Sequence, residues 1–225
     1  MSIFWQTLKR MLTNRRPTRS PDQPLRAKSG KADAAVFEVE RKFRLTDHEA
    51  SSIIPARLKE MGFALADTVV MTDTFLPTGV KGEMLRVRDE SVNGKPITVV
   101  TIKEWVVVGG NREREEQEEQ VNKFERWLLL KIGRLLNGKS LLFFSKTRLM
   151  HESPGLVGVV IATDDVQGLG ENSGPYAEIE VLVPRDGDVE GARKRISELA
   201  RELFGEDRQF VQASYQDMLK QVSGQ

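Results

Sequence analysis

No cysteine occurs among the 225 residues, so a disulfide framework and a thiolate zinc site are both excluded. Histidine is nearly as scarce: His48 and His151 are the two present, which argues against a histidine-rich metal centre. Long hydrophobic runs are missing too. The most apolar stretch, around Trp127 to Leu136, is interrupted by Lys131 and Arg134, and a spanning helix needs about 20 mostly apolar residues. Stable membrane insertion is therefore not expected. Acidic residues are absent from positions 1–21.

That last absence reveals an asymmetry hidden in the net charge of +1. Residues 1–35 carry eight Lys/Arg and two acids, Asp22 and Asp33, leaving 26 basic and 31 acidic residues in the remainder. A body with a net charge of −5 is poorly suited to nucleic acid, whose affinity comes mainly from neutralised phosphates. In the tail, Trp5, Leu8 and Leu12 can form an apolar helical face among Lys9, Arg10, Arg15 and Arg16 before Pro17, Pro21 and Pro24 end any helix. Such a start has the composition of an organelle-targeting segment, a disordered basic tail or a membrane-surface contact. A cytoplasmic location is expected, with organelle targeting by the tail as the alternative. The organisation expected is a tail over 1–35 and one catalytic domain over 36–222.

The body is built from alternation. In Val36 to Leu45, Phe37, Val39, Phe43 and Leu45 face one way, and Glu38, Glu40, Lys42 and Arg44 the other, the two-residue period of a strand with one apolar face. The same reading predicts strands over 68–76, 84–89, 97–105, 112–121, 141–150, 157–163 and 176–183. The segment 112–121 is polar on both sides and is read as a strand from its neighbours. Asn93-Gly94 marks a hairpin, and Pro77-Thr78-Gly79 and Gly109-Gly110 mark further turns. Thr46 to Glu49 predicts a capping box opening a helix that Pro55 breaks or kinks. Further helices are expected over 122–132, 189–203 and 213–222, with Gly205 stopping the one over 189–203. The class is α+β with an antiparallel sheet, and an eight-stranded antiparallel barrel with flanking helices is one closure that turns alternate residues inward.

Closed in that way, the sheet would turn Glu38, Glu40, Lys42, Arg86, Arg88, Lys103, Lys146, Arg148, Glu178 and Glu180 inward. Ten uncompensated charges inside a barrel are prohibitively costly. Clustered carboxylates are relieved by raised pKa values or by a divalent cation, and an all-oxygen set suits Mg²⁺ or Mn²⁺. Arginines and lysines offer donors to phosphate oxygens. Metal on carboxylates, facing cations across a polyanion, is how phosphoryl transfer neutralises its transition state.

Glu38-Val39-Glu40-Arg41-Lys42 resembles the ExExK signature of the CYTH superfamily, the triphosphate tunnel metalloenzymes, which includes class IV adenylate cyclases, thiamine triphosphatases and tripolyphosphatases. Leu85-Arg86-Val87-Arg88, Thr101-Ile102-Lys103, Ser145-Lys146-Thr147-Arg148, Gly168-Leu169-Gly170 and Glu178-Ile179-Glu180 follow in the family's order, and the similarity covers residues 36 to about 220. The resemblance implies an eight-stranded tunnel. In it Glu38, Glu40, Asp164, Glu178 and Glu180 hold metal, and Lys42, Arg86, Arg88, Lys103, Lys146 and Arg148 grip a triphosphate. Glu38, Glu40 and Lys42 are then the catalytic set. Glu116 and Glu118 match a glutamate-bearing strand of the family, and Asp165 competes with Asp164. Two departures stand out. Ala213 precedes Ser214-Tyr215 where the family often has lysine, and Asp73-Thr74-Phe75-Leu76 lacks the frequent second aspartate.

One motif points elsewhere. Gly133-Arg134-Leu135-Leu136-Asn137-Gly138-Lys139-Ser140 matches the P-loop expression, yet a real P-loop follows a strand and opens a helix. Here a helical segment precedes and a strand follows, so the match is read as coincidental. The expected activity is metal-dependent hydrolysis of a triphosphate such as tripolyphosphate or thiamine triphosphate. The alternatives are cyclisation of ATP to cyclic AMP and a non-catalytic module binding polyphosphate or nucleotide. Linear triphosphate needs the charges already named, whereas a cyclase also needs an adenine pocket.

Overall fold

The computed structural model describes residues 36–78, 83–108, 111–137, 141–184, 187–205 and 207–224, with side chains outside 36–38, 103–117 and 137. The basic tail, the turns at Gly79 and Gly109-Gly110, and Gly138-Lys139-Ser140 of the P-loop match lie outside the described residues. Eight strands form one antiparallel sheet: β1 (Val36–Arg44), β2 (Ala64–Leu76), β3 (Met84–Val92), β4 (Lys95–Val108), β5 (Asn111–Gln120), β6 (Leu142–Glu152), β7 (Val159–Gln167) and β8 (Gly174–Pro184). Four α-helices accompany them: α1 (Ile54–Glu60), α2 (Lys123–Asn137), α3 (Val189–Phe204) and α4 (Tyr215–Ser223).

The hydrogen-bonded strand order is β1-β8-β7-β6-β2-β3-β4-β5. The closed barrel raised by the alternation is not completed by backbone pairing among the described residues, because β1 and β5 remain the two ends of the order. A ladder closes only if its terminal strands pair, and at the free side of β1 the Lys42 carbonyl accepts instead from Val211 N at 2.6 Å.

Two compact units share this sheet, one over Thr74–Asp89 and Ile97–Leu141, the other over Ala34–Asp73, Glu90–Pro96 and Leu142–Gln225. In the second unit, Val39, Phe43, Val159, Ile161, Ala177, Ile179 and Val183 from the apolar sheet face bury against Ala192, Ile196, Leu199, Ala200 and Leu203 of α3, with Ile54 and Leu58 of α1. That contact leaves Glu40, Lys42, Lys146, Arg148, Asp164, Glu178 and Glu180 on the opposite face. In the first unit, Leu76, Leu85, Val87, Val100, Ile102, Val121, Leu129 and Leu141 form a separate core.

Local signals shape the ends. Glu49 N donates to Thr46 Oγ1 at 3.2 Å while Thr46 N donates to Glu49 Oε2 at 2.7 Å, the reciprocal capping box. The break at Pro55 takes the form of a π-helical turn, Glu49–Ile53, before α1 opens with that proline in its first turn, where a missing N–H costs least. Gly205 ends α3 in the left-handed region at φ 77.

Arg208 clamps the capping glutamate, its Nη1 2.6 Å from Glu49 Oε1. This pairing, against the opposing pull of burial, holds the Glu49 carboxyl down at about 2 from an ordinary 4.5. A depressed folded-state pKa contributes stability that is present above the unfolded value and lost as pH falls through the folded one, here between pH 4.5 and 2. Arg208→Ala is expected to return the Glu49 titration towards 4.5 and to flatten that part of the stability profile, as NMR titration and acid unfolding would show. An unmoved Glu49 would mean that its backbone and hydroxyl partners alone set its acidity.

Candidate active site

Four neighbouring strands carry the charged face of the second unit, and their register decides which groups meet. Glu40 lies opposite Glu180 and Lys42 opposite Glu178 between β1 and β8. Arg148 lies opposite Asp164 between β6 and β7, and Asp164 opposite Tyr176 between β7 and β8. Residues of like parity on paired strands share a face, so the row runs unbroken across the four strands.

At its centre is Arg148. Its Nε donates to Asp164 Oδ1 at 2.7 Å, Nη2 to Asp164 Oδ2 at 2.8 Å, and Nη1 to Glu180 Oε1 at 2.8 Å. Nη2 also donates to Glu178 Oε2. Lys146 Nζ adds a bond to Asp164 Oδ2 at 2.7 Å, and Lys42 Nζ lies 3.5 Å from Glu178 Oε1. One planar guanidinium thus faces three carboxylates, a geometry that a lysine cannot reproduce.

Burial makes this network consequential. It pushes the Asp164 carboxyl upward, but Arg148 and Lys146 overcome it and hold the group below the usual range. Glu178 behaves likewise, with Arg148, Lys146 and Lys42 outweighing burial. Glu180 goes the other way: burial raises it, and neighbouring Glu178 and Glu40 add to that against the pull of Arg148. Like charges crowded together disfavour the ionised form. An oxygen from each of Glu40, Glu178 and Glu180 lies within 4.8 Å of the others. Glu40 is exposed, Glu178 is buried and Glu180 is half-buried, so the trio opens to solvent at Glu40.

Tyr215, the first residue of α4, escapes the sequence reading, which noticed the Ser214-Tyr215 pair for the alanine before it. Ser214 caps that helix reciprocally with Asp217, fixing Tyr215 at its first turn. The phenol donates to Asp164 Oδ2 at 3.2 Å. The Lys42 ammonium sits 3.5 Å from its ring centroid, and Phe144 and Tyr176 pack against it at 5.3 and 5.5 Å. Burial, then Glu178 and Asp164, push the Tyr215 hydroxyl well above its ordinary pKa, so it stays a protonated donor. A capping box that places an aromatic residue first in a terminal helix was the available signal.

The remaining candidates fall elsewhere. Arg44 turns to the β7–β8 connection, donating to Asn172 O, Ser173 O and Tyr176 Oη. Asp165 is exposed and accepts from Gln167 Nε2, leaving Asp164 as the aspartate inside the network. Arg86 belongs to the first unit, where Nη2 donates to Thr101 Oγ1 at 2.9 Å and to Glu118 Oε1 at 3.3 Å. Arg88 is buried in that unit. The side chains of Glu38, Lys103 and Glu116 lie outside those described.

Comparison with known proteins agrees with this picture. None of the curated proteins matches the chain. Among solved structures, a Pyrococcus horikoshii OT3 protein is 24% identical with a TM-score of 0.61, covering 83% of this chain and 99% of its own. A candidate adenylyl cyclase from Hippeastrum, described as having a dominant triphosphatase activity, is 18% identical with a TM-score of 0.55, over 84% and 97% of the two chains. A candidate adenylate cyclase from Vibrio parahaemolyticus is 18% identical with a TM-score of 0.52, over 82% and 98%. At such identities these likenesses establish the fold. The CYTH domain model matches residues 37–215, most of the chain, and the chain therefore belongs to the CYTH family.

Proposed function

We propose that the protein is a divalent-metal-dependent hydrolase of triphosphates, acting on tripolyphosphate or an organic triphosphate such as thiamine triphosphate. The observation that carries this is the trio Glu40, Glu178 and Glu180, with oxygens within 4.8 Å and buried cations immediately behind them. The donor set fits a hard cation: it is all carboxylate and open to solvent at Glu40, and burial, with the Glu178 and Glu40 charges adding to it, raises the Glu180 carboxyl. These three residues would hold Mg²⁺ or Mn²⁺. A divalent ion there would supply charge neutralisation at phosphate oxygens and would make a nearby water more acidic.

The chain's own groups have separable tasks. Arg148 acts as the internal counterion, keeping Glu178 ionised and holding one oxygen of Glu180. Lys146 and Tyr215 hold Asp164 behind it. Lys42, a residue of β1 two positions from Glu40 and seated over the Tyr215 ring, is assigned to a phosphate oxygen. Family membership, rather than geometry, supports the tunnel closure, the metal role of Glu38 and Asp164, and the triphosphate contacts of Arg86, Arg88 and Lys103. In this geometry Asp164 serves the cations Lys146 and Arg148, so its contribution to metal binding runs through Glu178 and Glu180.

The test is direct. Purified protein with Mg²⁺ or Mn²⁺ is offered tripolyphosphate, thiamine triphosphate and ATP in separate reactions. Orthophosphate release from a triphosphate is the expected outcome. Cyclic AMP with pyrophosphate would make it a cyclase, and saturable binding without turnover would make it a binding module.

A further inference from the structure

Helix α2 turns the wrong side outward for a surface helix of a water-soluble fold. Its buried side consists of Leu129 and Gly133, and a Cβ at Gly133 would stand 2.5 Å from Leu76 Cδ2, so the Leu76 side chain fills the space beside the glycine. Arg126 is also spent inward, with Nε and Nη2 on Asp89 at 2.6 and 2.5 Å. The outward side carries Phe124, Trp127, Leu128 and Leu135, with exposures of 66%, 50%, 39% and 79%. Their spacing of three, four and seven places them in one stripe. The Phe124 and Trp127 rings stack at 5.9 Å. No helix among the described residues is long and apolar enough to cross a membrane, so the stripe is not a span.

Cations frame it. Lys123, Lys131 and Arg134 are exposed, and Lys131 Nζ rests 4.7 Å from the Trp127 ring centroid. A groove of about 600 Å³ runs alongside, lined by Arg126, Trp127, Leu130, Lys131, Arg134 and Leu135. The one acid of the helix, Glu125, is turned to its own cap, accepting from Asn122 N at 3.0 Å.

Charge selects among the possible occupants. The chain's own N-terminal segment has the apolar residues Trp5, Leu8 and Leu12, but it is basic and acid-free to residue 21. A second copy docking by the same face would set this basic face, with Lys123, Lys131 and Arg134 exposed, against an equally basic one. A bilayer with anionic headgroups matches both features, since a Trp- and Phe-bearing apolar stripe flanked by Lys and Arg is the composition of a helix lying in the membrane interface.

We propose that the outward face of α2 is a docking surface for an anionic membrane. Phe124, Trp127, Leu128 and Leu135 enter the boundary between headgroups and acyl chains, and Lys131 and Arg134 bond lipid phosphates beside Trp127. The protein is then a peripheral membrane protein, held at the surface by a short helix of its own fold and independent of the carboxylate site.

Sedimentation of the full chain with phosphatidylcholine vesicles, and with vesicles also containing phosphatidylglycerol, tests this. Binding is expected to the anionic vesicles and to weaken with added salt. The pair Leu128→Gln and Leu135→Gln, both at exposed positions, is expected to reduce that binding by about tenfold or more with an unchanged unfolding midpoint. Lys131→Glu with Arg134→Glu should reduce it comparably. Equal binding to both vesicle types, or anionic binding untouched by the leucine pair, overturns the proposal; the second result assigns the contact to the basic tail. A concentration-dependent dimer abolished by the leucine pair, without vesicle binding, overturns it in favour of a self-interface.

Discussion

Arg148→Ala lowers the stability of the folded protein by about 3–5 kcal/mol, the cost of removing one partner from a buried ionic network. The size follows from what the guanidinium faces. Asp164, Glu178 and Glu180 all accept from it, and the side chains of Asp164 and Glu178 are almost wholly shielded from water. Without Arg148, Lys146 and Lys42 alone must offset three carboxylates. The sign of the pH dependence is distinctive. In the native protein Asp164 and Glu178 are held below their ordinary values of 3.8 and 4.5, so their contribution is present above those values and is lost as pH falls through the depressed ones. The variant lacks most of that contribution, and the gap between the two proteins therefore narrows below about pH 4. Urea unfolding at neutral and acid pH reads both quantities. A neutral-pH loss under about 1 kcal/mol, the value of an exposed pair, would falsify the assignment of Arg148 as the internal counterion.

Glu40→Gln gives the opposite combination: near-native stability with a fall in triphosphate turnover of about two orders of magnitude or more, since even outer-shell changes at metal sites cost about 10–100-fold. Glu40 is exposed, so its charge makes no large demand on folding. It belongs to the carboxylate trio and adds to the burial that raises the Glu180 pKa. Removing it should therefore lower the Glu180 pKa while weakening the affinity for Mg²⁺. Turnover measured against metal concentration separates the two proposed causes. A role in holding metal predicts that saturating Mg²⁺ restores part of the rate. A fall in rate independent of Mg²⁺ would place Glu40 at the substrate instead, and an unimpaired variant would remove the trio from the reaction altogether.

How much of this was legible in the sequence differs between levels. Seven of the eight strands were, because two-residue alternation is imposed by the pleat itself, whereas β5, polar on both sides, is read as a strand from its neighbours. The hairpin at Asn93-Gly94 was legible for a similar reason: both residues take positive φ, 50 and 82, and few other pairs do so cheaply. The π-helical turn before Pro55 was visible as a disturbance but not as a type, since either a kink or a break relieves the missing N–H. Closure was not legible at all. Alternation is the same in an open sheet and in a barrel, and whether β1 pairs with β5 or accepts from Val211 depends on residues more than 160 positions away.

The candidate site divides along the same line. Residue types, their parity on the strands and the family they belong to follow from the sequence by itself, because each is a local property of the backbone or of a short motif. Which charge answers which is a tertiary outcome. Asp164 rather than Asp165 enters the network because β6 and β7 meet in one register and not the next, and a one-residue slip would have exchanged them. Arg148 meets three carboxylates from two other strands, and Tyr215 reaches Asp164 from the far end of the chain. Coulomb interactions are selected by distance in space, which only packing the sheet against α3 and α4 could set.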